Sequence, residues 1–285
     1  MDGNVNFYQT GPKPSSSGQQ SLATVVLLHG LLGSAKNLGV LARALAAEYS
    51  VLSIDLRNHG RSPHSDEMTL SLLASDVCAL LDTLSLRSVH LVGHSLGGKV
   101  AMTMALLCPE RVDKLLVADI APVTYPPQHL ELFAALQQLS LADAGSRAEL
   151  DVQLSESIQD AGVRQFLLQN IAAGTHGFYW RCHLPAIIAN YDHLRAGLSL
   201  AGIAEESDVE SLRIVGTPYA GDVLFLGGER SEYIKEAYAA HSQKLFPNYA
   251  FRQVAGAGHW LHADQPQRTN REVLRFLHSS SGASE

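Results

Sequence analysis

Short, continuous apolar runs alternate along the chain with stretches of helical period. Thr24-Val25-Val26-Leu27-Leu28 is unbroken and rich in β-branched residues, the pattern of a strand buried on both faces. Val51 to Ile54, Val89 to Val92 and Lys114 to Asp119 predict three more strands, and Val5 to Tyr8 an edge strand. Between them, Leu38 to Glu48 carries apolar residues at period 3.6. Leu70 to Leu84 is amphipathic, with Thr69 placed to cap it. Gly97 to Leu106 is a small-residue helix that stops before Pro109. Strand, helix, strand in this rhythm predicts an α/β fold: a mostly parallel sheet with helices on both faces.

From about Pro122 the rhythm changes. Residues 128 to 200 hold only helical patterns, such as Leu130-Phe133-Ala134 and Phe166-Leu167-Asn170-Ile171, and no strand is expected before Val223 to Leu226. The alternation returns with Tyr249 to Val254 and a last helix over Gln267 to Leu277. The expected organisation is a core of residues 1–122 and 216–285, with a helical insertion over 123–215 above the carboxyl ends of the strands. The Pro/Ser/Gly-rich residues 11–20 read as a surface turn and 279–285 as a frayed tail. There is no internal repeat.

The chemistry concentrates in one pentapeptide. Gly93-His94-Ser95-Leu96-Gly97 follows a predicted strand and opens a predicted helix, which is the setting of a G-x-S-x-G nucleophile elbow. A serine hydroxyl is a weak nucleophile and needs a base, an acid to orient that base, and donors for the oxyanion. His259, in the Gly-rich Ala255-Gly256-Ala257-Gly258-His259-Trp260 after a strand, is the candidate base. Leu96 N–H, just after the serine, is one expected oxyanion donor. The other is Leu31 N–H, in the loop Leu28-His29-Gly30-Leu31-Leu32-Gly33-Ser34 after an earlier strand.

Composition narrows the class. At 285 residues, 46% apolar and 17% charged, the chain is an ordinary globular protein. A net charge of −7 with no Lys/Arg-rich run argues against nucleic acid as a partner. The cysteines, Cys78, Cys108 and Cys182, form no C-x-x-C, so neither a disulfide framework nor a zinc knuckle is indicated. His259 and His262 lack a third ligand, so no metal is expected. Met1-Asp2-Gly3-Asn4 does not open a signal peptide and no run could span a membrane. The expected setting is cytoplasmic, with no stable membrane insertion.

The motifs Leu27-Leu28-His29-Gly30-Leu31-Leu32-Gly33-Ser34, the run SIDLRNHGRS at 53–62, GHSLGGKVAM at 93–102, VADIAPV at 117–123 and GAGHWLHADQP at 256–266 resemble those of α/β-hydrolase-fold serine hydrolases. With NLGVLAR at 37–43, they closely resemble the bacterial YbfF-type esterases and their mitochondrial relatives. That resemblance implies hydrolysis of carboxylic esters, and of acyl thioesters as a second substrate type, beneath a small helical lid. No cofactor is implied. The partner would be a small-molecule ester or thioester, and the chain a monomer or homodimer. The acid stays open. Most of the fold places it after the strand that follows the lid, where Glu229 is the nearest carboxylate. A minority places it at the end of the strand after the nucleophile strand. Asp119 stands there, and the DIAP motif of the resembled group suggests it. Asp55 precedes the serine and so breaks the expected order; holding its own loop is its expected work. Tyr125, Trp180, Tyr191 and Trp260 are the candidate pocket walls. Two other readings remain: a same-fold enzyme cleaving a carbon–carbon bond or acting as a lyase on a small carbonyl substrate, and a non-catalytic ligand receptor.

Overall fold

The computed structural model describes residues 4–12, 22–175, 177–201 and 211–279. Most of the expected turn at 11–20 and of the tail at 279–285 therefore lies outside the described residues. The central sheet has seven strands: β1 (Phe7–Thr10), β2 (Thr24–Leu28), β3 (Ser50–Ile54), β4 (Val89–His94), β5 (Val112–Ala118), β10 (Asp222–Gly228) and β11 (Tyr249–Val254). Their spatial order is β1-β3-β2-β4-β5-β10-β11. Only β1 runs antiparallel, against β3; the other pairs are parallel.

The period of two sorts each strand between two apolar layers. Val26 and Leu28 of β2, Leu91 of β4, Leu115 and Val117 of β5, and Val223 and Phe225 of β10 face one layer. There they meet α2 (Leu70–Thr83) and α3 (Leu96–Leu107) through Leu73, Val77, Val100 and Met104. Val25, Leu27, Val92, Leu116, Leu224 and Leu226 face the other, against α1 (Gly39–Leu45) and α11 (Pro266–His278). Each fully buried aliphatic side chain contributes about 1.5–3 kcal/mol, and the two layers together hold the sheet between its covering helices. Thr69 caps α2 by accepting the Leu72 N–H. The expected helix over Leu38 to Glu48 is shorter, with a 3-10 turn at Ala35–Leu38 leading into α1.

Between β5 and β10 the chain leaves the sheet. It forms α4 (Leu130–Gln137), α5 (Arg147–Ser155), α6 (Ala161–Leu168), α7 (Leu184–Ala189) and α8 (Tyr191–Arg195). It also contains strands that the helical reading omits. β6 (Ile171–Gly174) and β7 (Gly177–Trp180) form an antiparallel hairpin, and β8 (Gly197–Leu200) pairs in parallel with β9 (Ser211–Ile214). These strands have four residues each, too short for a period of two to stand out. α9 (Ala239–Leu245) and α10 (Leu261–Asp264) complete the fold. No helix among the described residues is long and apolar enough to cross a membrane.

Candidate active site

The site lies at the carboxyl ends of β4, β5, β10 and β11, beside the loop after β2. Ser95 sits between β4 and α3 with φ 52° and ψ −117°. An L-residue adopts such a backbone only where the surroundings enforce it. Here the enforcement is close backbone packing. A Cβ on Gly93 would lie 2.2 Å from the Gly97 carbonyl oxygen, and one on Gly97 would lie 2.2 Å from that of Leu28. The elbow is thus pressed against its own helix and against the end of β2, and Ser95 N–H is held by the Ala118 carbonyl at 2.9 Å.

Three side chains from distant positions form a line. His259 Nε2 lies 3.1 Å from Ser95 Oγ. His259 Nδ1 lies 2.7 Å from Asp119 Oδ2. Asp119 is fully buried. Its other oxygen accepts the Gly228 N–H at 2.9 Å, and Oδ2 also accepts the Ser231 hydroxyl. A buried carboxylate needs such partners. Like Ser95, Asp119 has a positive φ, 53°. Glu229 is exposed and turned elsewhere: its carboxylate accepts the Gly256 N–H at 2.7 Å. The structure thus brings Asp119, not Glu229, to His259.

His259 is held on further sides. The Tyr233 ring stacks on it, centroids 4.0 Å apart and planes 22° from parallel. His94, at the variable position of the elbow, donates Nε2–H to the His259 carbonyl at 2.8 Å. Burial, then the neighbouring His259 and His262, hold His94 well below the usual histidine range. Burial likewise takes His262 down to about 4. Sequence reading missed Ser231, Tyr233 and this use of His94, because none belongs to a motif that implies a partner.

The loop after β2 turns tightly past Ser95. Gly33 N–H returns to the Gly30 carbonyl at 3.0 Å, and Leu32 has φ 55°. A Cβ on Gly30 would meet Ser95 Cβ at 3.3 Å. Two buried histidines fix this loop. His29 donates Nδ1–H to the Gly30 carbonyl and accepts the Leu56 N–H on Nε2. His59 donates to the Arg57 carbonyl and accepts the Leu32 N–H. Burial lowers His29 to about 4 and His59 to about 3, so both are neutral cross-links at pH 7. Asp55 accepts N–H groups from Ala35 and Arg61 and stays away from the serine. Leu31 and Leu96 both border the space in front of Ser95.

Two cavities flank Ser95. The larger, of about 80 Å³, is bordered by His259, Trp260, Leu132, Val163 and Phe166. The smaller, of about 50 Å³, is bordered by Ile120, Tyr125, Tyr191, Leu194 and Tyr233. Leu31, Ser95 and His129 border both. Tyr125, Tyr191 and Trp260 thus stand at the site. Trp180 borders neither cavity: on β7 it is paired with Ile171 and is partly buried against the larger apolar cluster. A four-residue hairpin strand has no signal that tells which way its aromatics turn. His129, which sequence reading passed over, lies 2.6 Å through Nδ1 from the Tyr191 hydroxyl. Lys99, one turn into α3, is buried and donates Nζ–H to the carbonyls of Val123 and Ala196, both at 2.5 Å. Among the described residues, no group of His, Cys, Asp and Glu is arranged to hold a metal ion.

The family model described as the alpha/beta hydrolase fold matches residues 23–266. The Escherichia coli protein called Esterase YbfF is 33% identical over 264 residues, covering 92% of this chain and 96% of that protein. The Xenopus laevis sn-1-specific diacylglycerol lipase ABHD11 is 38% identical, covering 90% of this chain and 80% of that protein. Among solved structures, a marine microorganism esterase aligns with a TM-score of 0.85 and 33% identity, over 96% of this chain and 100% of its own. The chain belongs to the α/β-hydrolase-fold family, among its carboxylic ester hydrolases.

Proposed function

We propose that Ser95, His259 and Asp119 hydrolyse acyl esters through an acyl-enzyme. The observation that carries this is the continuous line Ser95 Oγ, His259 Nε2, His259 Nδ1, Asp119 Oδ2, with separations of 3.1 and 2.7 Å. His259 accepts the Ser95 proton as Oγ attacks the carbonyl carbon. Asp119 orients the ring and stabilises the imidazolium. The N–H groups of Leu31 and Leu96 face the developing oxyanion. Collapse expels the alcohol, which takes its proton from His259 Nε2. A water then gives one proton to His259 as its oxygen attacks the acyl-enzyme carbonyl; the bond to Ser95 Oγ breaks, Oγ takes that proton back from His259, and the carboxylic acid leaves and ionises in solvent. The preset backbone at Ser95 and the buried, fully bonded Asp119 mean that little reorganisation accompanies each step.

Residues 123–215 act as a lid in this reading. Their walls, with the loop after β2, keep water from the acyl-enzyme except along the cavity mouths. The name of one relative, an sn-1-specific diacylglycerol lipase, supports acylglycerols as candidate substrates. The test is a panel of p-nitrophenyl esters and matched acyl thioesters on wild type and Ser95→Ala, with fluorophosphonate labelling of both. Wild type hydrolyses oxygen esters and is labelled; Ser95→Ala does neither. Unchanged turnover by Ser95→Ala would end the proposal.

A further inference from the structure

The loop after β2 holds a turn that its own residues disfavour. Gly30, Leu31, Leu32 and Gly33 form a β-turn closed by Gly33 N–H on the Gly30 carbonyl at 3.0 Å. Leu32, the third residue, has φ 55°, while Leu31 keeps a negative φ. This is the type II arrangement, in which the third position favours glycine or asparagine. A leucine pair settles more readily as a type I turn, with the Leu31–Leu32 peptide turned over and the left-handed residue relieved. Groups outside the turn must therefore hold it. They matter because Leu31 N–H is the oxyanion donor of the mechanism proposed above.

Two side chains do the holding, one at each polar group of Leu32. His59 Nε2, from the loop after β3, accepts the Leu32 N–H at 3.1 Å. Asn170 Nδ2–H donates to the Leu32 carbonyl at 2.6 Å. Asn170 belongs to the segment between β5 and β10, just after α6, 138 positions from Leu32. It is buried, and its own backbone is fixed. Its N–H donates to the Leu167 carbonyl at 3.0 Å, and its carbonyl accepts the Arg181 N–H at 2.6 Å across the base of the β6–β7 hairpin. Two residues on, His183 N–H donates to the carbonyl of Asn58, the neighbour of His59, at 2.8 Å. The base of the hairpin thus grips both loops that shape the turn.

We infer that Asn170 is a positioning residue for the oxyanion hole: its side-chain amide, opposite His59, keeps the Gly30–Gly33 turn in the type II form that presents Leu31 N–H beside Ser95. This rests on the reading of Ser95 as nucleophile and Leu31 as oxyanion donor. Asn170 borders neither cavity at Ser95, so it acts through the turn and not on the substrate. An apolar side chain at 170 would leave the Leu32 carbonyl without its donor, and the turn would relax toward type I and carry Leu31 with it.

Steady-state kinetics on p-nitrophenyl butanoate with the full chain, and two inhibitors, test the assignment. A trifluoromethyl ketone adds Ser95 Oγ and places an oxyanion in the hole. The matching amide, with an unreacted carbonyl, reports ground-state binding. Asn170→Leu should lower kcat by about 30- to 100-fold with KM within about twofold, the scale of a 1 Å misplacement and less than the largest losses on removing a donor outright. The trifluoromethyl ketone should weaken by the same factor and the amide should not. A segment that is merely loosened would raise KM and weaken both inhibitors alike. Leu32→Gly supplies the second arm. Glycine accepts the type II turn unaided, so in that background Asn170→Leu should cost less than about threefold in kcat. Asn170→Ala replaces Asn170→Leu in both arms if the latter does not fold, as judged by thermal melting. Unchanged kcat in the single variant, equal weakening of both inhibitors, or an undiminished cost in the Leu32→Gly background overturns the inference. Turnover by Ser95→Ala would instead defeat the triad reading itself, so the two failures are distinguishable.

Discussion

The sheet core and the segment between β5 and β10 solve different problems. In the core, the central strands β2, β3, β4, β5 and β10 commit most of their residues to one of two apolar layers, and the candidate catalytic groups appear where strands end. Ser95 and Asp119 stand at such ends, both with positive φ, where a backbone pinned by sheet hydrogen bonds can hold a strained residue. The segment holds no member of the line Ser95–His259–Asp119. It supplies surfaces instead: Tyr125, His129, Leu194, Val163 and Phe166 border the cavities. Chemistry sits on the part that cannot shift without breaking the core, and shape on the part that can vary without doing so.

The comparison breaks most sharply at the acid. Asp119→Asn should lower kcat by about 10⁴-fold, the scale seen when a triad carboxylate is replaced isosterically. Glu229→Gln, which keeps an acceptor for Gly256 N–H, should leave kcat within about threefold, as surface substitutions do. Equal losses in the two variants would undo the assignment of Asp119. Steady-state kinetics on one ester measures both.

Three histidines, His29 and His59 buried and His262 partly buried, give the next effect. His29, His59 and His262 have folded-state pKa values of about 4, about 3 and about 4, below the ordinary 6.5. The unfolded chain binds more protons than the native one below pH 6.5, so stability is full above that pH and is lost as pH falls toward 4. Thermal melts from pH 7.5 to 4.5 should drop steeply. In His262→Phe the acid branch should be shallower. An acid branch of unchanged slope in that variant would remove His262 from the account.

Lys99 joins the two regions, since Val123 and Ala196 lie on the outgoing and returning chain of the segment. Burial lowers it from 10.5 to about 7. Here too the unfolded state binds more protons, now between about pH 7 and 10, so this group makes stability rise with pH across that window. Lys99→Met should flatten that rise and loosen the segment, seen as faster amide exchange at residues 123 and 196. Exchange unchanged at both would show that the clamp does not hold the segment.

Trp180 marks the smallest effect. Trp180→Leu should leave the order of rates across the p-nitrophenyl ester panel unchanged, because its ring borders neither cavity at Ser95. A change in acyl preference would show that the hairpin of β6 and β7 reaches the substrate.

These contrasts follow what could be read in advance. The strand runs at Thr24, Val51, Val89 and Lys114 were legible because burial on both faces demands unbroken apolar residues. The elbow was legible because its glycines answer a steric demand, visible in the 2.2 Å approaches around Gly93 and Gly97. The segment was not legible in the same way. Its short strands carry no period, and the aromatics of β7 gave no clue to which side they face.

By itself the sequence determined the class of the fold, the order of the strands along the chain, and the candidates Ser95 and His259, since each depends on local patterns. It left Asp119 and Glu229 both open, because each follows a strand that ends near the same place. The tertiary structure brings only one of them to His259. It buried one carboxylate against His259, Gly228 and Ser231 and turned the other toward Gly256. It also decided that Tyr233 covers His259 and that two unequal cavities meet at Ser95. Such facts depend on distances between residues well separated in the chain, 27 positions for Glu229 and Gly256 and 140 for Asp119 and His259, and no local pattern encodes them.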